Sequence, residues 1–293
     1  MNTLAIVSAI LLSANVVLAD NYPQSTLLVE PAELAKPDVA KQFVILDARE
    51  QAKYDQGHVP NAVWVDHAGW SKAFGDGNDA KGWSQRIAAL GIDGKSKVVI
   101  YDDNMSKDAA RLWWILRYWG LNDVRLLNGG WPTWAKNSLP VQKDAVPSPT
   151  PSNFVAVPIA KRLATKQSLL DSLTKPGLQI VDTRSEGEFC GTEKMTNKRA
   201  GAIPGAKHLE WSDLLDQETQ QFKSADQMRK LFGDAGINLD QPTATHCQGG
   251  GRASVMAFGL ELMGAKDVSN YYKSWGEWGN ADDTPVVPGK PKK

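Results

Sequence analysis

The feature that most constrains this chain is an internal duplication. Val44-Ile-Leu-Asp-Ala-Arg49 is echoed by Gln179-Ile-Val-Asp-Thr-Arg184, and Gly57-His-Val-Pro-Asn-Ala62 by Gly201-Ala-Ile-Pro-Gly-Ala206. Gly120-Leu-Asn-Asp-Val124 matches Gly264-Ala-Lys-Asp-Val268, and Gly130-Trp-Pro-Thr-Trp134 matches Ser274-Trp-Gly-Glu-Trp278, both at the offset of 144 that separates Gly57 from Gly201. Each copy reads as a strand ending in Asp-x-Arg, a loop to an exposed Pro turn, and an amphipathic helix near Gln85-Arg-Ile-Ala-Ala-Leu90 or Ala225-Asp-Gln-Met-Arg-Lys-Leu-Phe232. A second strand, a loop, a long helix and a last strand follow. Strands alternating with helices specify an α/β fold in which a mostly parallel sheet is flanked by helices, here formed twice.

A chain of 293 residues is long enough for two such domains, each burying its own core. The halves are assigned to residues 24–145 and 159–288, joined by an extended linker at 146–158 that carries Pro147, Pro149, Pro151 and Pro158. Among eleven tryptophans, the pairs Trp113/Trp114, Trp131/Trp134 and Trp275/Trp278 are expected in cores and at the domain interface. Basic and acidic residues balance at 33 each, so global charge recruits neither nucleic acid nor an acidic membrane, and function must reside in a local site. Residues 1–19 read as a cleavable signal peptide, with an apolar run from Leu4 to Leu18 and Val17-Leu-Ala19 before polar Asp20. No Lys or Arg precedes the run, which leaves an uncleaved anchor as the alternative. The mature chain is expected to be soluble and exported, most simply to a periplasm.

Chemistry concentrates in Thr245-His-Cys-Gln-Gly-Gly-Gly-Arg-Ala-Ser254, set between a short strand and a helix carrying Val255, Met256, Phe258, Leu260 and Met263 at helical spacing. Cys247 therefore precedes a helix N-terminus. Unpaired amides and the positive end of the helix dipole favour an anion there, and a thiolate forms more readily beside such an end and a cation like Arg252. Gln248, Gly249, Gly250 and Gly251 are expected to curl into an anion-binding nest, because three consecutive glycines sacrifice packing that a structural turn would keep. The offset of 144 pairs Cys247 with Asp103. The N-terminal half is thus expected to be catalytically silent, its Asn104-Met-Ser-Lys107 lacking the glycines that would turn amides inward, and Asp102 and Asp103 to be solvated or capping acids. Cys190 reads as a packed or bystander thiol; a Cys190–Cys247 bridge would cap the nucleophile. His58, His67, His208 and His246 show no metal-ligand spacing with the cysteines, so neither metal nor organic cofactor is expected.

With the repeat, the Asp-x-Arg strand ends, the Gly-x-x-Pro-x-Ala turns and the Cys-centred loop in place, the chain resembles the tandem-domain rhodaneses, a sulfurtransferase family, over about residues 24–288. The resemblance implies a silent N-terminal half and a C-terminal cysteine, Cys247, that carries sulfur as a persulfide. It also implies that residues 248–252 surround the outer sulfur and that Arg184 matches an arginine binding the anionic donor. Thiosulfate users in the family typically place Arg-Lys after the cysteine, and mercaptopyruvate users Gly-Ser-Gly. This chain has Gln248-Gly-Gly-Gly251. On charge grounds thiosulfate leads, since a dianion would meet Arg184, Arg252 and Lys198 or Arg199, and 3-mercaptopyruvate stays open. The acceptor would be cyanide or a thiol.

Two rivals share the same cysteine. A Cys-dependent phosphatase would place one residue more between cysteine and arginine than the four found here, Gln248 to Gly251. A non-turnover sulfur carrier or redox-partner module would need the same thiolate and the same cradle, and the sequence does not separate it from a catalyst.

Overall fold

The echoed apolar runs are short, lack polar alternation and end in turn-forming residues, the pattern of strands covered on both faces. The computed structural model describes residues 21–175 and 177–290; the expected signal peptide lies outside them. The first half holds β1 (Leu28–Val29), β2 (Val44–Asp47), β3 (Val63–Trp64), β4 (Lys97–Tyr101) and β5 (Asp123–Leu127) in the order β1-β5-β4-β2-β3. The second holds β6 (Gln179–Asp182), β7 (Lys207–His208), β8 (Thr243–His246) and β9 (Val268–Asn270) in the order β7-β6-β8-β9. Every strand pairing in the two sheets is parallel. The chain is therefore α/β with two helix-flanked parallel sheets.

This topology already selects the site. From β6 the chain moves to one edge at β7, then returns past β6 to β8 and onward to β9. The order reverses between β6 and β8. In open α/β sheets the crevice beyond the carboxyl ends of the strands at such a switch is where ligands bind, because the loops leaving the two strands diverge. Cys247 is the first residue after β8.

The helices Lys107–Tyr118 and Gly251–Leu262, one from each half, pack against one another at the centre of the molecule. Trp113 meets Phe258 edge-on with ring centroids 5.1 Å apart, and Trp114 stacks on Tyr272 at 5.2 Å. The Gly251–Leu262 helix is buried almost all round, from Ala253 to Leu260, so it behaves as a core helix rather than an amphipathic one. One apolar cluster consequently runs through both halves, with Trp83, Trp113, Trp114 and Trp119 inside it. Trp134, Trp275 and Trp278 are also fully buried, whereas Trp131 is half-buried.

The segment between the halves is extended, as its prolines require, and it is strapped to the first half. Ser152 donates its backbone N–H to Ala88 at 2.9 Å and Ile159 to Tyr118 at 2.7 Å, and Phe154 and Ala156 are buried while Val155 and Val157 point outward.

Truncating Phe258 to Ala should cost about 3–5 kcal/mol, the range for removing a buried aromatic, and should do so in a single unfolding transition of both halves. Urea denaturation followed by tryptophan fluorescence checks this; two separate transitions, with only the second shifted, would show that the halves do not share a core.

Candidate functional site

Thr243–His246 delivers the chain into a buried turn, and the residues after it show why the strand cannot continue. Gly250 adopts φ 83° as the N-cap of the next helix, and a Cβ there would lie 2.8 Å from the Tyr272 ring and 2.9 Å from its carbonyl oxygen. Only glycine satisfies both restrictions. A Cβ on Gly251 would collide with the Arg111 guanidinium, whereas one on Gly249 would meet nothing within 4 Å. Gly250 is therefore structurally required, Gly251 makes room for the far end of Arg111, and the exposed Gly249 meets neither restriction.

Cys247 is 2% exposed at the floor of this turn. Ser274 holds the turn closed: its Oγ accepts N–H bonds from Cys247 at 3.0 Å and Gly250 at 3.2 Å, donates to the Tyr271 carbonyl at 2.7 Å, and lies 4.0 Å from the Cys247 sulfur. The backbones of Trp275 and Gly276 donate to the carbonyls of Cys247 and Gln248, both at 2.9 Å, which points those carbonyls away from the turn. Among the described residues, no protein acceptor takes the amides of Gln248, Gly249, Gly251, Arg252 or Ala253. The first turn of a helix always carries such orphans; here they follow directly on the cysteine.

Arg252 stands beside that sulfur, with Nη1 and Nη2 donating to the two Glu188 carboxylate oxygens at 2.6 and 2.9 Å. Burial opposes its charge, but the Glu188 hydrogen bonds and the neighbouring Cys247 keep its pKa above the ordinary value. Burial likewise opposes the charge of Glu188, and the Arg252 bonds outweigh it, so the acid lies below its usual range. Gln248 exchanges amide hydrogen bonds with Asn197 at 2.9 and 3.1 Å. His246, fully buried at the end of β8 and 3.5 Å from Asp182, is pushed down to about 4 by desolvation. Among the described residues, no three His, Cys, Asp or Glu side chains group so as to hold a metal.

The geometry corrects the placement of Arg184. It is 1% exposed, paired with Asp182 through contacts of 2.5 to 3.1 Å, bonded to the Gly201 carbonyl at 2.7 Å and stacked 4.2 Å over the Trp275 ring. Arg49 repeats this arrangement with Asp47, the Gly57 carbonyl and, at 4.0 Å, the Trp131 ring. An arrangement present in both halves is structural, and a buried, fully engaged guanidinium is not offered to a donor. Arg199 is also structural, donating to the carbonyls of Trp278, Ala281 and Thr284. Lys198 lies at the surface, 3.5 Å from Asp282.

The first half requires a second correction. Sheet register pairs Asp47 with Tyr101 and Asp182 with His246, and the backbone of Trp131 bonds to Asp102 at 2.8 Å as that of Trp275 bonds to Cys247 at 2.9 Å. The counterpart of Cys247 is therefore Asp102, not Asp103, and the first-half loop is one residue longer. Asp103 instead pairs with Lys53 at 2.6 Å. The missing glycines do not keep the amides from turning inward, because Met105 and Ser106 adopt φ 52° and 59° without them. The amides of Asn104, Ser106, Asp108 and Ala109 all converge on the Asp102 carboxylate at 2.8 to 3.1 Å. Burial pushes Asp102 up to about 6 although these amides favour its charged form. The first half holds its own anion where the second holds a cysteine.

Sequence reasoning missed Ser274, Glu188, Asn197 and Arg111. Two had visible signals. Ser274 is a non-glycine at φ 54° where the other half has Gly130, and Glu188 closes the capping box of Ser185. Asn197 and Arg111 reach the loop only through tertiary contact.

The model of the rhodanese-like domain matches residues 30–137 and again 165–281. The chain is 31% identical to a thiosulfate sulfurtransferase of Pseudomonas aeruginosa, covering 89% of this chain and 96% of that one. It is 33% identical to a putative thiosulfate sulfurtransferase of Haloferax volcanii (88% and 92% covered) and 33% identical to the sulfur carrier protein TtuD of Thermus thermophilus (81% and 87%). The crystal structure of YnjE superposes with a TM-score of 0.81 at 26% identity over 92% of this chain and 70% of that one. EanB in a cysteine-persulfide state with ergothioneine has the same fold, with a TM-score of 0.81 at 23% identity over 93% and 73% of the two chains.

Two outcomes follow from the loop and its neighbours. Gly249→Ala should fold and retain most activity, whereas Gly250→Ala should lose activity and destabilise the fold by about 1–3 kcal/mol; activity and denaturation midpoints of the two variants check this. Between pH 6.5, the ordinary histidine value, and about 4, the unfolded chain protonates His246 and the folded chain does not. Stability from this residue is thus present at neutral pH and lost as pH falls, by on the order of 3 kcal/mol in full. His246→Gln should flatten the slope of unfolding free energy over that window, and an unchanged slope would assign it to other groups.

Proposed function

The chain belongs to the rhodanese family of sulfurtransferases, and from that premise we propose that it moves sulfane sulfur from thiosulfate, through a persulfide on Cys247, to cyanide or a thiol. The observation that carries this reading is the anion cradle. In the first half the equivalent loop closes four amides around Asp102, and in the second the matching amides of Arg252 and Ala253, together with those of Gln248, Gly249 and Gly251, remain unmatched around Cys247.

The chemistry is a two-step displacement. The Cys247 thiolate attacks the outer sulfur of thiosulfate, the S–S bond of the donor breaks, and sulfite leaves with the bonding pair. The outer sulfur, now bonded to Cys247 and negatively charged, accepts the loop amides. Cyanide then attacks that sulfur, the Cys–S–S bond breaks, and thiocyanate departs, leaving the thiolate. A thiol acceptor leaves as a persulfide by the same step after losing its proton to solvent. Arg252, held by Glu188, stabilises the one negative charge that the Cys247 side chain carries before and after each displacement. 3-Mercaptopyruvate, whose carbon–sulfur bond would break to give pyruvate, is the alternative donor.

The likeness to a protein named as a sulfur carrier favours one second reading, a relay that passes sulfur to a protein thiol without rapid turnover. On sequence grounds the assigned halves, 24–145 and 159–288, operate outside the cytoplasm after loss of residues 1–19.

Incubating the protein with thiosulfate should add one sulfur to the Cys247 peptide by mass spectrometry, and adding cyanide should remove it with release of thiocyanate. Cys247→Ser should abolish both while leaving the unfolding midpoint nearly unchanged, and Cys190→Ser should keep most activity. An active Cys247→Ser variant would overturn the assignment. Sulfur loading without steady-state turnover would favour the carrier.

A further inference from the structure

The first half does more than support the second, because one of its side chains enters the loop. Arg111, on the Lys107–Tyr118 helix, donates through Nη1 to the Gly249 carbonyl at 2.9 Å, to Ser71 Oγ at 2.5 Å and to the Tyr272 hydroxyl at 3.2 Å. Its guanidinium lies 5.5 Å from the centre of the Tyr272 ring and packs over Gly251, whose missing Cβ gives it room. Gly249 is the exposed outer residue of the turn, two positions beyond the cysteine.

Four cations nearby are already paired with carboxylates, and Arg199 is engaged by the carbonyls of Trp278, Ala281 and Thr284. Arg252 is paired with Glu188, Arg184 with Asp182, Lys273 with Asp76 and Glu277, and Lys198 with Asp282. Among the described residues Arg111 is ion-paired with no Asp or Glu; its bonds go to a carbonyl and two hydroxyls. A guanidinium left without a counter-ion attracts whatever anion approaches, and its planar fork suits the oxygens of a sulfonate or carboxylate.

We propose that Arg111, supplied by the half without the cysteine, is a specificity-determining residue: it fixes the outer turn through Gly249 and presents un-neutralised positive charge there, selecting anionic over uncharged reagents for Cys247. The nature of the natural ligand, an anionic sulfur donor, rests on the sulfur-transfer reading; the charge selection itself does not. Both halves are then parts of one site.

The test uses the full chain and two alkylating probes of similar size, iodoacetate and uncharged iodoacetamide, with the rate at Cys247 read by peptide mass spectrometry. Arg111→Met keeps the apolar stem and removes the charge. The ratio of iodoacetate to iodoacetamide rates should fall about five- to tenfold, as expected for loss of one unit charge at the rim of a partly solvated site. Arg111→Lys should restore part of it. The KM for thiosulfate should rise by a similar factor while kcat changes less. If Arg111→Met does not fold, raising salt on the wild-type protein must lower the same ratio. An unchanged ratio, or equal losses for both probes, would reduce Arg111 to a tie between the halves and overturn the proposal. A ratio that falls in a protein that never accepts sulfur from thiosulfate would leave the charge selection standing and overturn the proposed function instead.

Discussion

The buried Asp182–Arg184 pair organises everything around the cysteine. Asp182 ends β6 and folds Arg184 back upon itself; the guanidinium then grips the carbonyl of Gly201 and lies flat on Trp275. Trp275 is one residue beyond Ser274, whose hydroxyl fixes the amides of Cys247 and Gly250. A chain of contacts thus runs from strand end to arginine, from arginine to tryptophan, and from tryptophan to the turn. An ion pair this deep contributes little net free energy, since desolvation offsets the Coulomb attraction. Its role is positional: it fixes three separate backbone segments relative to one another, and its loss would leave an unpaired charge in a dry interior.

That role explains which parts of the site could be read from the sequence. The duplication, the parallel sheets and the cysteine before a helix follow from local pattern, because strand spacing and the strand-to-helix turn are properties of neighbouring residues. Arg184 was misjudged because an Asp-x-Arg motif has the same spelling whether the arginine faces a ligand or its own aspartate; only burial and the Trp275 ring decide. The pairing of Cys247 with Asp103 failed by one residue because the loops differ in length, and a constant offset hides a one-residue insertion between a strand and a helix. Register exposes it, since Tyr101 and His246 stand at equivalent places beside Asp47 and Asp182. Glycine count misled for a related reason. Left-handed φ is available to Met105 and Ser106 when a buried carboxylate binds the amides that such a turn presents.

The two halves therefore differ less in fold than in what fills the loop. A carboxylate oxygen of Asp102 stands two bonds beyond Cβ, the same number as the outer sulfur of a cysteine persulfide. Above about pH 6 the first half in effect carries an anion that cannot leave, and its loop is satisfied. The second half keeps a shorter side chain in that place and leaves its amides short of partners, an arrangement that on the proposed function suits a negative sulfur that is acquired and later released. On the function proposed above, the difference between support and catalysis is the difference between an anion attached through carbon and one attached through a breakable sulfur–sulfur bond.

This also accounts for the persistence of the first half beside the second. A loop with unmatched amides and a glycine at φ 83° is held less firmly by its own contacts than one closed around a carboxylate. Its stiffness must come from outside, and the Gly251–Leu262 helix that begins there is packed along the Lys107–Tyr118 helix through Trp113 and Phe258. The same neighbouring helix supplies Arg111 to the outer carbonyl of the turn. The half that has its anion built in thereby supplies the rigidity and the charge that the other half gives up by leaving its cradle open.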